Sequence, residues 1–226
     1  MHYNDFKARF GGSYRSKHLR HPVKELFSRS STVKRPYRLP KQSKTPTDFI
    51  RLDPWEGQYL FMVAARASKG IVEIGRFNGG SALLMSCANP DVPIYSVDIA
   101  PKDDAALKSH LDENSIGENI HIIVGDSQNS KYENIGIVDL LFVDGDHSYE
   151  GCTKDLHNWF EKVEVGGHIL LHDCYNGSPV QDSVLDFAKE FPVSFVNSPY
   201  IVREHWFTPA GSMVHLIKTS DAASPN

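Results

Sequence analysis

Short apolar runs alternate with longer segments of helical periodicity through most of the chain. Five of these runs have the length of strands and are too short for helices. The predicted strands are Ile71–Ile74, Pro93–Val97, Ile120–Val124, Val138–Val143 and His168–Leu171. The helices predicted before and between them are Trp55–Ser68, Ser81–Ala88, Asp104–Asn114 and Glu150–Val163. This alternation predicts an α/β fold in which a mostly parallel sheet carries helices on both faces.

The last part of the chain has a different pattern. Ser178, Pro179 and Gln181 suit an N-cap, a first helical position and a capping box, so a helix is predicted to about residue 190. Two extended runs follow, Val193–Val202 and Met213–Lys218, with no helix-length segment between them. We expect these runs to form an antiparallel hairpin at the sheet edge, which brings the predicted sheet to seven strands.

Charge divides the 226 residues unevenly. Residues 1–47 carry a net charge of +10 and no sustained periodicity, whereas the rest of the chain carries −14. We interpret 1–47 as an irregular or partly ordered basic arm, 48–220 as one folded domain and 221–226 as a polar tail. The arm could bind nucleic acid, an acidic membrane surface or a phosphorylated acceptor, or it could lie on the acidic body of the same or a neighbouring subunit.

Cysteine content and hydropathy limit the class of protein. Cys87, Cys152 and Cys174 are scattered and form no CxxC pair, which argues against a disulfide framework and a thiolate zinc site. No apolar run approaches the ~20 residues of a membrane span, and no signal-peptide pattern follows the N-terminus. These features predict a cytoplasmic protein with no transmembrane segment.

Acidic residues stand at the ends of the first three predicted strands. Glu73 lies inside the first strand, just before a Gly-x-x-x-Gly-Gly turn that fails the Gly-x-Gly-x-x-Gly dinucleotide fingerprint. An acid there would repel a pyrophosphate and suits a cofactor with a cationic group. Asp98 ends the second strand, where a carboxylate can accept both hydroxyls of a ribose, and Asp126 and Ser127 end the third, where they can meet a base. Each acid alone could be a loop cap, but together they predict a nucleoside site.

The fourth predicted strand ends in the sequence Asp144-Gly145-Asp146-His147-Ser148. Ligands of open α/β sheets bind outside the carboxyl ends of the strands, so two acids and an imidazole here indicate a site. The alternative is a polar turn into the next helix, with Asp146 or Ser148 as N-cap. Capping explains one of these side chains but not all three.

These motifs resemble the class I S-adenosylmethionine-dependent methyltransferases over about residues 54–218. The matching cofactor motifs are Glu73-Ile74-Gly75, Asn78-Gly79-Gly80-Ser81, Val97-Asp98 and Gly125-Asp126-Ser127. The segments 142–151 and 166–173 are similar to the small-molecule O-methyltransferases called methyltransferase family 24, which are related to catechol, caffeoyl-CoA and sugar methyltransferases. The resemblance implies a Rossmann-like methyltransferase domain that binds S-adenosylmethionine. The cofactor residues that it implies are Glu73, Gly75, Asn78, Gly79, Ser81, Asp98, Asp126, Ser127 and Asp144.

The resemblance also implies a reaction centre at the acceptor end. A divalent metal such as Mg2+ would be held by Asp144 and by Asp173, the acid after the fifth strand, although Cys174 replaces the asparagine that catechol-type enzymes carry next. His147 stands where those enzymes have a lysine base, and its alternative role is a hydrogen bond within the turn. Asp146 could orient His147 or contact the cofactor, and His172 could be a base, a ligand or a paired core histidine.

The expected function is methyl transfer to a hydroxyl of a small molecule such as a sugar, polyketide or phenol. Aromatic and basic side chains of the final hairpin turn could border the acceptor pocket, or belong to an ordinary hydrophobic hairpin; they are Tyr200, Arg203, His205, Trp206 and Phe207. Two alternatives keep the cofactor: a methyltransferase that the basic arm recruits to nucleic acid or protein, and a non-catalytic S-adenosylmethionine-binding protein. Because related enzymes are often dimers or higher, a homo-oligomer is also expected.

Overall fold

The computed structural model describes residues 49–52, 54–129, 132–175, 177–196 and 213–221. Its helices are α1 (Pro54–Ala64), α2 (Gly80–Ala88), α3 (Asp104–Asn114), α4 (Tyr149–Phe160) and α5 (Pro179–Glu190). Its strands are β1 (Ile71–Ile74), β2 (Ile94–Asp98), β3 (Ile120–Val124), β4 (Val138–Val143), β5 (Val163–Leu171), β6 (Val193–Phe195) and β7 (Val214–Lys218). None of the helices in this part of the chain is long and apolar enough to cross a membrane. The predicted arm, residues 222–226 of the tail and the aromatic turn at 200–207 lie outside the described residues.

The seven strands form one sheet in the order β3-β2-β1-β4-β5-β7-β6. The first five strands of the chain pair in parallel, and β7 runs antiparallel to both β5 and β6. The predicted mostly parallel sheet and its C-terminal antiparallel pair are therefore confirmed. Strand order reverses between β1 and β4, which is the place where open α/β sheets bind ligands.

Hydrophobic side chains cover the sheet on both faces. Leu140 and Phe142 of β4 point into a core with Leu60, Leu84 and Leu107 from α1, α2 and α3. Their neighbours Leu141 and Val143 point to the other face, where they join Leu156 and Val184 from α4 and α5. Alternate residues of one strand thus enter opposite cores, which explains why β4 is apolar at every position except Asp139.

Several predicted element boundaries are wrong. The helix expected over Glu150–Val163 ends at Phe160, and Val163 instead begins β5, where it pairs with Val138. The strand therefore starts five residues before the predicted His168, because Gly166 and Gly167 lie inside it at an irregular register rather than in a loop. The first helix, expected to reach Ser68, ends at Ala64.

Caps at two helix starts agree with the sequence. The Ser178 hydroxyl accepts a hydrogen bond from the Gln181 N–H at 3.1 Å, with Pro179 as the first residue of α5. The Ser148 hydroxyl likewise accepts from the Gly151 N–H at 3.0 Å at the start of α4. Ser148 is therefore the N-cap of α4, which leaves Asp144, Asp146 and His147 to be explained by other contacts.

Candidate functional site

A cavity of about 760 Å³ opens at the carboxyl ends of the parallel strands. It lies beside the point where strand order reverses between β1 and β4. Most of the residues predicted for the site line it together: Gly75, Asn78, Ser81, Asp98, Asp126, Ser127, Asp144, His147 and Asp173. Glu73 and Gly79 are not among the lining residues. The strand-end positions singled out in the sequence therefore converge on one cavity.

The glycines of the turn after β1 are required by the packing of the chain itself. Gly75 has φ +87°, and a Cβ there would lie 2.0 Å from the carbonyl oxygen of Asp144. Gly79 has φ +90°, and its Cβ would lie 2.6 Å from Leu107 Cδ2. Both positions combine a backbone conformation that favours glycine with a close contact. The turn is thus held against β4 and α3 in addition to bordering the cavity.

Glu73 is fully buried and satisfied by its own neighbours. Its two carboxylate oxygens accept hydrogen bonds from the hydroxyls of Ser81 and Ser96. Burial raises the pKa of Glu73 to about 7, while the two serines and nearby Arg76 act in the opposite direction. These contacts fix the start of α2 to β1 and β2. A direct contact between Glu73 and the cofactor stays a prediction.

Arg76 is a structural residue of the site that the sequence interpretation missed. Its side chain is only 1% exposed, and its guanidinium contacts Asp104 through Nε at 2.8 Å and Nη2 at 3.0 Å. Nη1 donates to the carbonyls of Ser96 and Ile123. One cation therefore ties the turn after β1 to β2, to β3 and to the first turn of α3. This role could have been suspected from the sequence, because a charged residue within a glycine-containing turn is unusual enough to need a partner.

Asp98, the last residue of β2, lies on the wall of the cavity. Its Oδ2 accepts a hydrogen bond from the Phe77 N–H and its Oδ1 accepts one from the Ala100 N–H, both at 2.7 Å. Phe77 has φ +51°, a conformation that costs energy for a residue with a bulky side chain. Because Asp98 fixes both flanking loops, its carboxylate is held in a defined position on the cavity wall.

Two carboxylates and two imidazoles meet at the far end of the cavity. His147 Nε2 lies 3.2 Å from Asp144 Oδ1, and its Nδ1 lies 3.3 Å from Asp173 Oδ2. His172 Nδ1 lies 3.0 Å from Asp144 Oδ1, and its Nε2 lies 3.1 Å from Oε2 of buried Glu56 in α1. The strand ends produce this meeting, because the Asp144 N–H donates to Ile74 and the His172 N–H donates to Val143.

Electrostatics in this cluster favour charged carboxylates and protonated imidazoles. Burial alone would lower the pKa of His172, but Asp144, Asp173 and Glu56 outweigh it and raise the pKa to about 12. The pKa of Asp144 is lowered, since its contacts with the two histidines outweigh its burial. The hydrogen bond to Asp144 raises the pKa of His147, and burial only partly opposes this. Of the three roles open to His172, the geometry matches a buried histidine paired with acids, and Glu56 is its unforeseen partner.

Residues at the cluster margin have more limited roles. Asp173 has φ +53°, a left-handed conformation that aspartate tolerates better than most residues. Cys174 is half-buried, and burial raises the pKa of its thiol to about 12, so the thiol stays protonated. Asp146 lines the cavity, and its Oδ1 accepts from the Ser148 N–H at 2.8 Å. A protonated thiol is a poor ligand for a hard cation, in agreement with the sequence expectation for Cys174.

Part of the chain matches a family model, and part of it matches a curated relative. Residues 72–174 match the model described as a methyltransferase domain, that of methyltransferase family 24. An uncharacterized protein of Acanthamoeba polyphaga mimivirus is 31% identical over 118 residues, which cover 48% of this chain and 53% of the viral protein. The match thus spans about half the length of the curated relative.

Solved structures share the fold at low sequence identity. An S-adenosylmethionine-dependent O-methyltransferase from Thermotoga maritima superposes with a TM-score of 0.59 at 15% identity, over 75% of this chain and 66% of that one. A methyltransferase from Podospora anserina with bound S-adenosylhomocysteine gives 0.59 at 16%, over 97% and 98%. An O-methyltransferase from Bacillus cereus, also in complex with S-adenosylhomocysteine, gives 0.58 at 16%, over 76% and 84%. Residues 72–174 of this chain are therefore similar to the methyltransferase domain of family 24, and the chain shares its fold with these solved methyltransferases.

Proposed function

We propose that this chain is an S-adenosylmethionine-dependent O-methyltransferase that methylates a hydroxyl of a small molecule such as a sugar, polyketide or phenol. One observation carries the proposal. The cavity that contains Asp98 and the glycine turn is continuous with the cluster of Asp144, His147 and Asp173. The residues proposed to bind the cofactor and a group able to handle a hydroxyl proton thus line one cavity, in a chain that is similar to a methyltransferase domain over residues 72–174.

The cavity residues fit the cofactor by their chemistry. Asp98 presents a carboxylate held from both sides by backbone N–H groups, which suits the two hydroxyls of a ribose. The glycine turn leads directly into the N-terminus of α2, and an acidic wall suits a positively charged sulfonium better than a phosphate. In the proposed arrangement, Gly75, Asn78 and Ser81 border the amino-acid part, and Asp126 and Ser127 border the base.

Methyl transfer to oxygen sets two tasks for the residues of the acceptor end. The carbon–sulfur bond breaks as the carbon–oxygen bond forms in line, so the hydroxyl must be aligned. The same hydroxyl must lose its proton to a base or have its pKa lowered by a cation. Asp144 and Asp173 are held near each other by the ends of β4 and β5 and can orient a hydroxyl between the two strands.

The same cluster fits a divalent cation. Asp144, His147 and Asp173 each offer one ligand atom, and these atoms all lie within 4.8 Å of one another. A cation bound there would lower the pKa of an acceptor hydroxyl. Two carboxylates alone suit Mg2+, but an added imidazole shifts the preference toward ions such as Mn2+, Fe2+ or Zn2+. We therefore propose a divalent-cation site at these residues, with His147 as a third donor beyond the two acids expected from the sequence.

The proposed roles of His147 as base and as ligand differ in their dependence on metal. In the structure both ring nitrogens face carboxylates, so a basic role requires that one nitrogen be released from its acid. If His147 is the base, methylation persists in EDTA and falls strongly in His147→Ala. If His147 is a ligand, EDTA abolishes methylation in the wild type and added metal restores it.

The test of the function uses the full chain and methyl-labelled S-adenosylmethionine. Panels of phenols, sugars and other hydroxylated compounds are incubated beside RNA and protein acceptors, and S-adenosylhomocysteine is quantified. We expect the label in a hydroxyl of a small molecule. If the label is found only in RNA or protein, the proposed small-molecule acceptor is wrong. Cofactor binding without any turnover would indicate a non-catalytic binding protein.

A further inference from the structure

Two imidazoles bridge the same pair of carboxylates at the acceptor end of the cavity. His147 lies between the two acids, with Nε2 3.2 Å from Asp144 Oδ1 and Nδ1 3.3 Å from Asp173 Oδ2. His172 approaches the same two oxygens with a single nitrogen. Its Nδ1 lies 3.0 Å from Asp144 Oδ1 and 3.4 Å from Asp173 Oδ2. The relative position of the two acids is therefore set twice, once by each histidine.

The two bridges differ in exposure and in the groups that hold them. The side chain of His147 is 47% exposed, and both of its ring nitrogens face the acids that it bridges. The side chain of His172 is 11% exposed, and its second nitrogen, Nε2, lies 3.1 Å from Oε2 of Glu56. Because a carboxylate accepts, Nε2 donates in this contact. His172 is thus held by a third acid from outside the pair.

The helix that carries Glu56 is firmly supported on both sides of His172. One turn later in α1, the Tyr59 hydroxyl lies 2.7 Å from Nδ1 of His215 in β7. Leu60 has no exposed surface and belongs to the same hydrophobic core as Phe142 of β4. In the sheet, β4 and β7 flank β5, and His172 directly follows β5. Glu56 therefore reaches His172 from a helix that is fixed to both neighbouring strands.

Either proposed role of His147 withdraws this residue from its bridge. As a base it must release one nitrogen to receive the proton of the acceptor hydroxyl, and as a ligand it must turn one toward the cation. The two carboxylates repel each other, so their alignment at that moment depends on the bridge through His172. A displacement of about 1 Å at a reacting centre can cost about 100-fold in rate.

We propose that Glu56 is a positioning residue for methyl transfer, which holds His172 in the orientation that keeps Asp144 and Asp173 aligned while His147 takes part in the reaction. This inference rests on the proposed function, because it assigns a role at the acceptor end of the same cavity. Glu56 is not among the residues that line the cavity, whereas His172 is. The effect of Glu56 on the reaction therefore passes through His172.

The test compares Glu56→Gln with Glu56→Met in the full chain. Both side chains are close to glutamate in length and volume, but only glutamine keeps an oxygen that can accept from His172. Initial rates are measured with labelled S-adenosylmethionine on the acceptor of the panel above that the wild type methylates fastest. Each rate is divided by the number of chains that bind S-adenosylhomocysteine in a calorimetric titration, so that unfolded protein does not count.

We expect kcat per binding chain to fall about 10- to 100-fold in Glu56→Met, with the KM for S-adenosylmethionine within about threefold of the wild type. The kcat of Glu56→Gln should stay within about fivefold of the wild type, because the hydrogen-bond acceptor is kept. A Glu56→Met variant with wild-type kcat would overturn the proposal. Equal losses in the two variants, or a loss of cofactor affinity as large as the loss of kcat, would overturn it as well.

A double variant tests whether Glu56 acts through His172. In a chain that already carries His172→Gln, the further change Glu56→Met should lower kcat by no more than about twofold. Losses that multiply in the double variant would give Glu56 an independent structural role and overturn the proposal. If Glu56→Met does not fold, Glu56→Asp replaces it with the same expected loss, because the shorter side chain draws the acceptor away from His172.

Asp139→Leu is the matched control for the loss of a buried carboxylate. Asp139 lies at the start of β4, at the opposite end of that strand from the cavity, and accepts from the Gly70 N–H at 3.2 Å. We expect this variant to lower the free energy of unfolding and to leave kcat per binding chain unchanged. A wild type that binds no S-adenosylhomocysteine, or methylates no acceptor of the panel, would contradict the proposed function itself and the role of Glu56 with it.

Discussion

Replacing Arg76 with Met should destabilise the fold and loosen the turn after β1. Methionine keeps much of the side-chain volume but removes the charge and all the donors. Asp104 then loses a two-point contact, and the carbonyls of Ser96 and Ile123 lose their Arg76 donor. Because this one side chain connects four elements around the cavity, its loss affects both stability and ligand affinity.

The magnitude follows from the burial of the two partners. Removing one member of a buried ion pair costs about 3–5 kcal/mol. Asp104 is 23% exposed and can be partly rehydrated, so the lower part of that range applies, about 3 kcal/mol. For a domain of this size, such a loss lowers the melting temperature by roughly 6–12 °C.

Urea unfolding of Arg76→Met measures the loss of unfolding free energy, and titration with S-adenosylhomocysteine measures the effect on the cavity. Lys189→Met is the matched control, since it also removes a cation paired with an aspartate, but in an exposed pair on α5. We expect no measurable change in the control. If Arg76→Met loses no more stability than Lys189→Met, the role assigned to the buried guanidinium is wrong.

Three further predictions concern the metal, pH and the arm. EDTA should abolish methylation and Mn2+ or Mg2+ should restore it, while an Asp173→Asn variant should not recover; full activity in EDTA contradicts the metal site. Burial lowers the pKa of His215 to about 3, with His168 adding to the effect, so the unfolded chain binds more protons than the folded one between pH 6.5 and 3. The contribution of His215 to the free energy of unfolding should therefore be fully present above about pH 6.5 and decrease as the pH falls below that value. Urea unfolding at pH 7 and 5 should show a smaller pH dependence in His215→Gln, and an unchanged dependence would exclude His215 as its cause. Removing residues 1–47 should leave the affinity for S-adenosylhomocysteine unchanged, since the predicted cofactor residues that line the cavity all lie within the described range 54–175. Salt-dependent RNA binding that is lost with the arm would favour a nucleic-acid acceptor.

The sheet and the position of the site could be predicted because two simple rules apply. Apolar runs such as Val138–Val143 are buried on both faces and have few alternatives to a central strand. The carboxyl ends of parallel strands all lie on the same side of the sheet, so acids that follow successive strands come close together. Asp98, Asp126, Asp144 and Asp173 line one cavity for that reason.

Side-chain direction and partners were harder to predict. The hydrogen bonds of Glu73 to Ser81 and Ser96 were not predicted, because the periodicity of a strand does not reveal such local contacts. Glu56 meets His172 across 116 positions of sequence, a contact that only the tertiary fold specifies. Asp155, whose Oδ1 accepts from the Ser127 hydroxyl at 2.6 Å, did leave a signal, since it stands on the apolar face of α4 between Cys152 and Leu156, where an acid needs a partner.

The end of α4 shows a different limit. The apolar and charged positions after Phe160 fit a continuing helix as well as a new strand, because each pattern covers only a few residues. Pairing between Val163 and Val138 decides the outcome in favour of β5. Contact with a distant strand, and not the local pattern, thus determines the structure of this segment.

Calorimetric titration of S-adenosylhomocysteine into the wild-type chain and Asp98→Ala tests the proposed cofactor cavity most directly. We expect one bound ligand per chain in the wild type, and an affinity about 10- to 100-fold lower in the variant, because the ribose hydroxyls lose a charged acceptor. No binding to the wild type, or the same affinity in both proteins, would contradict the assignment of this cavity to S-adenosylmethionine.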